Sequence, residues 1–341
     1  MIDQRIEALS SLARWMKSHP NELELARLKS EKENPWFTER EVHNALAGIS
    51  DFMLEPQKLN HWLMRYRIAN TNPKHVGIIL AGNIPAVGFH DVLCAYISGH
   101  VTQVKLSQKD KYLIPALFEK LNSFDPNALR QIKFVDKLHQ VDALIATGTN
   151  NSSRYFNYYF KDIPRLIRKN RNSIALIDSK VRDEQIAQLG RDVFDYYGLG
   201  CRSVSQILVS KDFDTNRLFD QWDSYQFVMD NTKYENNFKY NYAISMMNRE
   251  SFKTNDFLIM KESEDIASRI SCVHIHRYSS DEEVVKYCNR KAEEIQIVVS
   301  NQMNLNSKIQ SPVVPIGHGQ QPGPEDYADG VDTMKFLIEL S

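Results

Sequence analysis

The sequence lacks the features of several protein classes. No apolar stretch reaches the roughly 18 residues that a membrane-spanning helix needs, and the amino terminus has no hydrophobic core of a signal peptide. Neither sign of charge dominates, because 42 Lys and Arg stand against 43 Asp and Glu among 341 residues, so no nucleic-acid partner is expected. These absences predict a globular cytoplasmic protein of about two domains without a membrane span.

Cysteine is also scarce. The four cysteines of the chain are Cys94, Cys201, Cys272 and Cys288. No two of them have Cys-x-x-Cys spacing, which argues against a disulfide framework and a zinc site and predicts reduced thiols. His274 and His276 alternate along a predicted strand, but no third ligand lies near them in the sequence, and we expect no metal.

The pattern of apolar residues divides the chain into three regions. Residues 1–75 carry apolar side chains at helical spacing and predict a helical amino-terminal segment. Short apolar runs then alternate with helical patterns, which is typical of a parallel sheet with crossover helices, and residues 76–198 are predicted to form an α/β domain. The mixed pattern of residues 199–341 predicts a second α/β lobe with a carboxyl-terminal tail.

Cys201 lies between a helical pattern and a strand pattern, in the run Tyr-Gly-Leu-Gly-Cys-Arg-Ser-Val-Ser. Gly198 and Gly200 can end the helix and leave room for an acyl carbon, while Arg202 and the loop amides favour a thiolate. Cys201 is therefore a candidate nucleophile. The alternative is a small buried apolar side chain, which is the commoner role of a single cysteine.

Three polar loops follow predicted strands of the parallel sheet, at the edge where such sheets bind ligands. They are Gly82-Asn83-Ile84-Pro85, Lys105-Leu106-Ser107 and Thr147-Gly148-Thr149-Asn150. No Gly-x-Gly-x-x-Gly follows any strand, so the ordinary dinucleotide-binding fingerprint is absent. Each loop by itself is explained by chain reversal, and only their order and spacing carry further information.

That order resembles the aldehyde dehydrogenase superfamily. Val-Gly-Ile-Ile-Leu-Ala-Gly-Asn-Ile-Pro is followed by Val-Lys-Leu-Ser, by Ala-Thr-Gly-Thr and then by the glycine-flanked Cys201. The runs Gly-Leu-Gly-Cys-Arg and Val-Val-Pro-Ile-Gly are most similar to the LuxC-type fatty acyl-CoA reductases. The resemblance implies an aldehyde dehydrogenase-like α/β fold, with the nucleotide cofactor bound by residues 76–198 and the catalytic lobe in residues 199–341.

The resemblance also implies roles for catalytic residues. Cys201 would be the nucleophile, and the side-chain amide of Asn83 would stabilise the oxyanion together with the backbone amide of Cys201. A preorganised amide donor of this kind is worth about 3 kcal/mol to a tetrahedral intermediate. The alternative for Asn83 is that it caps the helix expected to begin near Pro85.

For the cofactor, the resemblance implies that Lys105 and Ser107 face the adenosine ribose and that Gly148 and Thr149 face the pyrophosphate. The alternative for Lys105 is a solvated strand end. Members that prefer NAD commonly have a Glu where this chain has Gln108 beside two lysines. We therefore expect NADPH as the cofactor, with NADH as the alternative.

The chain departs from the superfamily at two carboxylates. The run Arg168-Lys169-Asn170-Arg171-Asn172 stands where typical members carry the Glu that activates water. Without that base an acyl-enzyme should resist hydrolysis, which favours thioester reduction. The basic run either attracts the phosphates of coenzyme A or is a solvated charge run. For the glutamate that holds the nicotinamide ribose, Glu262 and Glu264 lie near the expected register, and neither is assigned.

The resulting prediction is the reduction of an acyl-CoA, or of an acyl carrier protein thioester, to the aldehyde through an acyl group on Cys201. Two rivals stay open. One is a cysteine-dependent acyltransferase or thioesterase without hydride transfer, and the other is a catalytically idle binding subunit of a lipid-synthesis assembly. A homo-oligomer is compatible with all three functions.

Overall fold

The computed structural model describes residues 2–68, 72–148 and 150–340. The chain divides into two compact units, Met1–Asn170 with Pro322–Ser341, and Arg171–Gln321. These units differ from the ranges 76–198 and 199–341 drawn on the sequence, and the functional division into domains stays a prediction. No helix in the described part of the chain is long and apolar enough to cross a membrane.

The first unit opens with helices, as predicted. They are α1 (Ile2–Lys17), α2 (Asn21–Glu33), α3 (Glu39–Gly48), which continues as a π-helical turn over Ile49–Met53, and α4 (Pro56–Leu63). Leu9, Leu12 and Leu59 are fully buried on their inner faces. These side chains join one hydrophobic core with Phe89 and Phe118 of the following α/β part, so the helical segment is part of this unit.

A parallel sheet forms the centre of the first unit. Its strands are β1 (His75–Ile79), β2 (Val101–Lys105), β3 (Ile132–Phe134), β4 (Ala143–Thr147) and β5 (Arg165–Arg168), and the helices between them are α5 (Phe89–Ser98), α6 (Leu113–Phe124), α7 (Ala128–Gln131) and α8 (Asn150–Tyr159). Among the described residues the strand order is β3-β2-β1-β4-β5, with every neighbouring pair parallel. This confirms the parallel crossover pattern, whereas β5 was not predicted.

The second unit contains a larger sheet. Its elements are β6 (Asn172–Ile177), α9 (Asp183–Phe194), β7 (Val204–Ser210), α10 (Asn216–Trp222), α11 (Thr232–Met247), β8 (Lys253–Thr254), β9 (Ile259–Glu262), β10 (Cys272–Tyr278), α12 (Asp281–Arg290), β11 (Ile295–Ser300) and β12 (Val313–Pro315). The order is β12-β11-β6-β7-β10-β9-β8. Only β8 runs antiparallel to its neighbour within the residues described, which confirms a second α/β lobe.

The carboxyl-terminal residues return to the first unit. Its last helix, α13 (Thr333–Ile338), packs against α5. The Leu337 carbonyl lies 2.8 Å from Nε2 of the buried His100, which directly follows α5 and Gly99. The carboxyl-terminal tail predicted within residues 199–341 is therefore divided between the two units, because residues 322–341 belong to the first unit and pack against α5.

Candidate active site

Cys201 lies in a tight turn of the second unit, between α9 and β7. The backbone reverses through three successive residues with left-handed torsions, Tyr196 (φ 56°), Tyr197 (φ 55°) and Gly198 (φ 73°). Gly198 adopts this region without strain, as expected from the sequence, but each tyrosine costs about 1–3 kcal/mol unless its surroundings hold it there. Both tyrosine side chains are buried, so packing holds the turn that presents Cys201.

The four cysteines, all within the described residues, form no disulfide and differ in accessibility. Cys201 is half-buried, whereas Cys94, Cys272 and Cys288 are buried. Burial raises the pKa of Cys272 to about 11 and of Cys288 to about 12, and it raises the pKa of Cys94 well above its ordinary value. Because the thiolate is the nucleophile, these three are poor candidates, and Cys201 is the most accessible of the four cysteines.

A second loop lies against the turn of Cys201, and the sequence did not reveal this contact. It spans residues 316–320, directly after β12, and is called here the glycine loop. Arg202 Nε donates a hydrogen bond to the Gly319 carbonyl, and Gln320 Nε2 lies 3.3 Å from Ser203 Oγ. The two residues that follow Cys201 therefore both contact this loop.

Asp192 of α9 anchors the glycine loop. Its Oδ2 accepts a hydrogen bond from Gly317 N at 2.6 Å and its Oδ1 accepts one from Gly319 N at 2.8 Å. Burial raises the pKa of Asp192 to about 6, and these two hydrogen bonds oppose the rise. A Cβ on Gly319 would lie 2.7 Å from Oδ1. Glycine is therefore required there for the loop to approach the carboxylate.

In the first unit, the predicted cofactor residues lie at the carboxyl ends of neighbouring strands. Gly82 follows β1, Lys105 ends β2 with Ser107 just beyond, and Gly148 follows β4. Since β1 pairs with both β2 and β4, the connections from β1 and β4 leave in opposite directions. Such a switch point is where open parallel sheets bind nucleotides. Thr149 lies outside the described residues.

The loops that follow β1 and β2 lie close together at this edge of the sheet. A Cβ on Gly82 would lie 2.6 Å from Ser107 Oγ, so only glycine allows the two loops to come this close. Lys105 is half-buried, and its Nζ donates to the Asp136 carbonyl at 3.0 Å, which holds the ammonium at the strand end. The Lys105 side chain is thus tethered there, in contrast to a freely solvated strand end.

Asn83 lies in the same loop after β1. Helix α5 begins at Phe89, and Gly88 occupies its N-cap position, so the helix expected near Pro85 starts later and Asn83 is not its cap. The loop is held by Asp110, whose Oδ2 accepts from Ala86 N at 2.7 Å. Because Asn83 belongs to the first unit and Cys201 to the second, their shared role at an oxyanion stays a prediction.

The basic run at 168–172 is only partly solvated, because Arg168 is buried whereas Lys169 and Asn170 are exposed. Arg168 ends β5 and its side chain is only 3% exposed, with Nη2 2.5 Å from Asp91 Oδ1. It also donates to Thr333 Oγ1 at 2.8 Å and to the Ala328 carbonyl at 2.7 Å. Arg171 donates to backbone carbonyls of the second unit. Lys169 is exposed.

The remaining polar candidates have structural contacts. Glu262 is exposed and pairs with Arg277 at 3.1 Å, and Glu264 is also exposed. His274 Nδ1 lies 2.7 Å from the Asp265 carbonyl, and His276 stacks on a tyrosine ring. Across residues 2–68, 72–148 and 150–340, no group of three or more His, Cys, Asp or Glu could hold a metal ion.

A protein-family model supports the resemblance found in the sequence. The model described as "Acyl-CoA reductase (LuxC)" matches residues 15–221. The match includes helices α2 to α4, the loops at the edge of the first sheet, and the turn of Cys201. No curated protein matches the sequence.

Solved structures share the fold across nearly the whole chain. The chain is similar to an oxidoreductase from Marinobacter aquaeolei, with 14% identity and a TM-score of 0.68 over 95% of this chain and 80% of that one. It is also similar to a P. syringae indole-3-acetaldehyde dehydrogenase in complex with NAD+ and IAA, with 13% identity and a TM-score of 0.66 over 93% of this chain and 76% of that one. For a Mycobacterium tuberculosis aldehyde dehydrogenase complexed with NAD+, the identity is 10% and the TM-score is 0.66, over 93% of this chain and 77% of that one. These matches confirm the aldehyde dehydrogenase-like fold.

Proposed function

Because the chain belongs to the acyl-CoA reductase (LuxC) family, whose model covers more than half of it, we propose that it reduces an acyl thioester to the aldehyde. The thioester is acyl-CoA or, as the alternative donor, an acyl carrier protein thioester. The observation that carries the proposal is the half-buried Cys201 on a strained, packed turn directly before a strand, whereas the other three thiols are buried.

In this proposal Cys201 Sγ attacks the thioester carbonyl carbon and takes over the acyl group. The turn positions the sulfur because the buried Tyr196 and Tyr197 fix the backbone before it, and Ser173 Oγ donates to the Cys201 carbonyl at 3.0 Å. The Asn83 amide and the Cys201 backbone amide donate to the oxyanion that forms during attack. Such donors act in the transition state and therefore raise kcat.

NADPH is the proposed cofactor, and when bound its nicotinamide supplies the hydride that reduces the acyl group on Cys201. Lys105 and Ser107 would hold the adenosine ribose, and Gly148 and Thr149 the pyrophosphate. The first pair lies at the end of β2 and Gly148 at the end of β4, on either side of β1. Gln108, in place of an acidic side chain, leaves the site without a charge that would repel a 2′-phosphate.

The buried Arg168 supports reduction over hydrolysis. In the proposed alignment it stands in the run that replaces the water-activating glutamate, and its own carboxylate partner, Asp91, is engaged in the ion pair at 2.5 Å. Neither group is then available to activate water. An acyl group on Cys201 would persist until reduction or transfer back to a thiol.

Intact-protein mass spectrometry tests the proposal. Incubation with a fatty acyl-CoA and no cofactor should add one acyl group to the wild type and to Cys94→Ser and Cys288→Ser, and none to Cys201→Ser. Addition of NADPH should remove the adduct and release aldehyde. An adduct on Cys201→Ser would refute the assignment of the nucleophile.

The same experiment separates the rival functions. An adduct that NADPH and NADH leave unchanged, but that water or an acceptor thiol removes, would identify a thioesterase or acyltransferase. No adduct with either acyl-CoA or an acyl carrier protein thioester would support the idle binding subunit.

A further inference from the structure

The oxyanion role proposed for Asn83 depends on how firmly the loop after β1 holds its side-chain amide. This loop spans residues 80–88, between the end of β1 and the start of α5, and contains no helix or strand. Asn83 is half-buried within it. A hydrogen-bond donor favours a transition state only when it is preorganised. The residues that fix this loop therefore bear directly on acyl transfer.

The loop after β2 holds the Asn83 segment on both sides. On one side, a Cβ on Gly82 would lie 2.6 Å from Ser107 Oγ, so the two backbones are in close contact. On the other side, Asp110 Oδ2 accepts a hydrogen bond from Ala86 N at 2.7 Å. Asn83 lies one residue after the first contact and three residues before the second. Both ends of a short segment are thus fixed by one neighbouring loop.

Ala86 has a backbone conformation that its surroundings must hold. Its φ is 52°, in the left-handed region, which costs a residue other than glycine about 1–3 kcal/mol. Its N–H donates to Asp110, and its carbonyl accepts from Phe89 N at 2.9 Å. Without the Asp110 carboxylate, Ala86 would be freer to return to an ordinary torsion. That change would alter the path of the chain between Asn83 and α5.

The burial of Asp110 is itself unfavourable. The residue is 4% exposed, and burial raises its pKa to about 6, so the carboxyl is still ionised at neutral pH. Its Oδ1 is also buried, and no atom of the described residues forms a hydrogen bond with it. A buried carboxylate with one unsatisfied oxygen costs free energy. Such local costs are typical of residues that serve a functional site.

We propose that Asp110 is a positioning residue for acyl transfer, and that its carboxylate fixes Ala86 and thereby the segment that carries Asn83. The inference rests on the proposed function. Asp110 lies in the same loop as Ser107, so the loop proposed to face the adenosine ribose also sets the geometry of the oxyanion donor. Since Asp110 acts on a donor that is used in the transition state, its loss should lower the rate of acyl transfer more than the affinity for acyl-CoA.

The test measures the burst of coenzyme A thiol released when enzyme is mixed with a fatty acyl-CoA. Cofactor is left out, so that effects on ribose binding do not enter the rate. Asp110→Ala should lower the maximal burst rate about 10- to 100-fold and leave the acyl-CoA concentration that gives half the maximal rate within about twofold. Asp110→Asn keeps an oxygen that can accept from Ala86 N and should retain most of the rate.

Two further variants control for folding and for loss of an aspartate. Asp162→Ala removes an exposed aspartate of the same unit and should react like the wild type. Asp110→Leu preserves the volume of the side chain while removing the acceptor for Ala86. It should be as slow as Asp110→Ala, and it takes the place of that variant if Asp110→Ala does not fold.

A double variant shows whether Asp110 acts through Asn83. When Asn83 is already alanine, Asp110→Ala should cause little further loss, because the positioned amide is absent. Multiplied losses would overturn the positioning role. An Asp110→Ala burst at the wild-type rate, or an Asp110→Asn burst as slow as that of Asp110→Ala, would overturn it as well. A wild type with neither a burst nor an acyl adduct would instead refute the proposed function on which the inference rests.

Discussion

Replacing Arg168 with Met should destabilise the protein strongly, although the sequence places this residue in a run of polar side chains. The Arg168 side chain is 3% exposed and that of Asp91 is 9% exposed, with 2.5 Å between Nη2 and Oδ1. Its hydrogen bonds to Thr333 and Ala328 tie the carboxyl-terminal residues to β5. Methionine preserves much of the volume and removes the charge and all three contacts.

The size of the expected destabilisation follows from the Asp91 carboxylate, which Arg168→Met leaves buried without a partner. Breaking a buried ion pair by removing one partner costs about 3–5 kcal/mol, because the other charge stays buried without compensation. Replacing both partners with apolar side chains costs much less, since no charge remains unpaired. Arg168→Met should therefore cost roughly 4 kcal/mol, and Arg168→Met with Asp91→Leu should recover about half of that loss or more.

Urea unfolding, followed by tryptophan fluorescence, measures the free energies of unfolding of both single variants and the double variant. Lys169→Met, at the exposed neighbouring position, is the control and should stay within about 0.5 kcal/mol of the wild type. A loss below about 1 kcal/mol for Arg168→Met, or a double variant as unstable as the sum of its singles, would refute the reasoning.

Two further predictions concern the reaction. Asn83→Ala should lower kcat about a hundredfold with little change in cofactor affinity, because the lost hydrogen bond forms mainly at the oxyanion; an equal loss of stability in urea would point to a structural role instead. NADPH should be preferred over NADH about tenfold in kcat/KM at matched ionic strength, because Gln108 adds no repulsion and nearby ammonium groups each contribute on the order of 1 kcal/mol. The double substitution Lys105→Ala and Lys109→Ala should abolish the preference. A preference for NADH in the wild type, or a preference for NADPH that persists in the double variant, would show that this loop does not read the ribose.

Lys109 is the more informative of the neighbouring lysines for cofactor choice. Lys111 pairs with Glu33 at 3.0 Å, so its charge is partly compensated by the protein. Lys105 is tethered to a backbone carbonyl. Lys109 carries the exposed ammonium beside Gln108, and the expected attraction for a 2′-phosphate depends chiefly on it.

The sequence by itself determined the α/β class, the position of most of the parallel strands and the candidate nucleophile. Strands buried on both faces are continuous apolar runs, as in Ala143–Thr147. Cys201 could be identified because a glycine-flanked cysteine between a helix and a strand is a local pattern. Such patterns depend only on residues that are neighbours in the chain, so a single sequence is enough to find them.

Only the tertiary structure decided the features that join distant residues. Strand β5 was missed because it ends in Arg168, whose partner Asp91 lies 77 positions away. The left-handed torsions of Tyr196 and Tyr197 depend on buried packing, which local propensity does not reveal. The contact of Asp192 with the glycine loop was not predicted for the same reason, since Asp192 and Gly317 are 125 positions apart. A buried charge or a strained turn is stable only when its surroundings compensate it, and those surroundings are assembled by the fold.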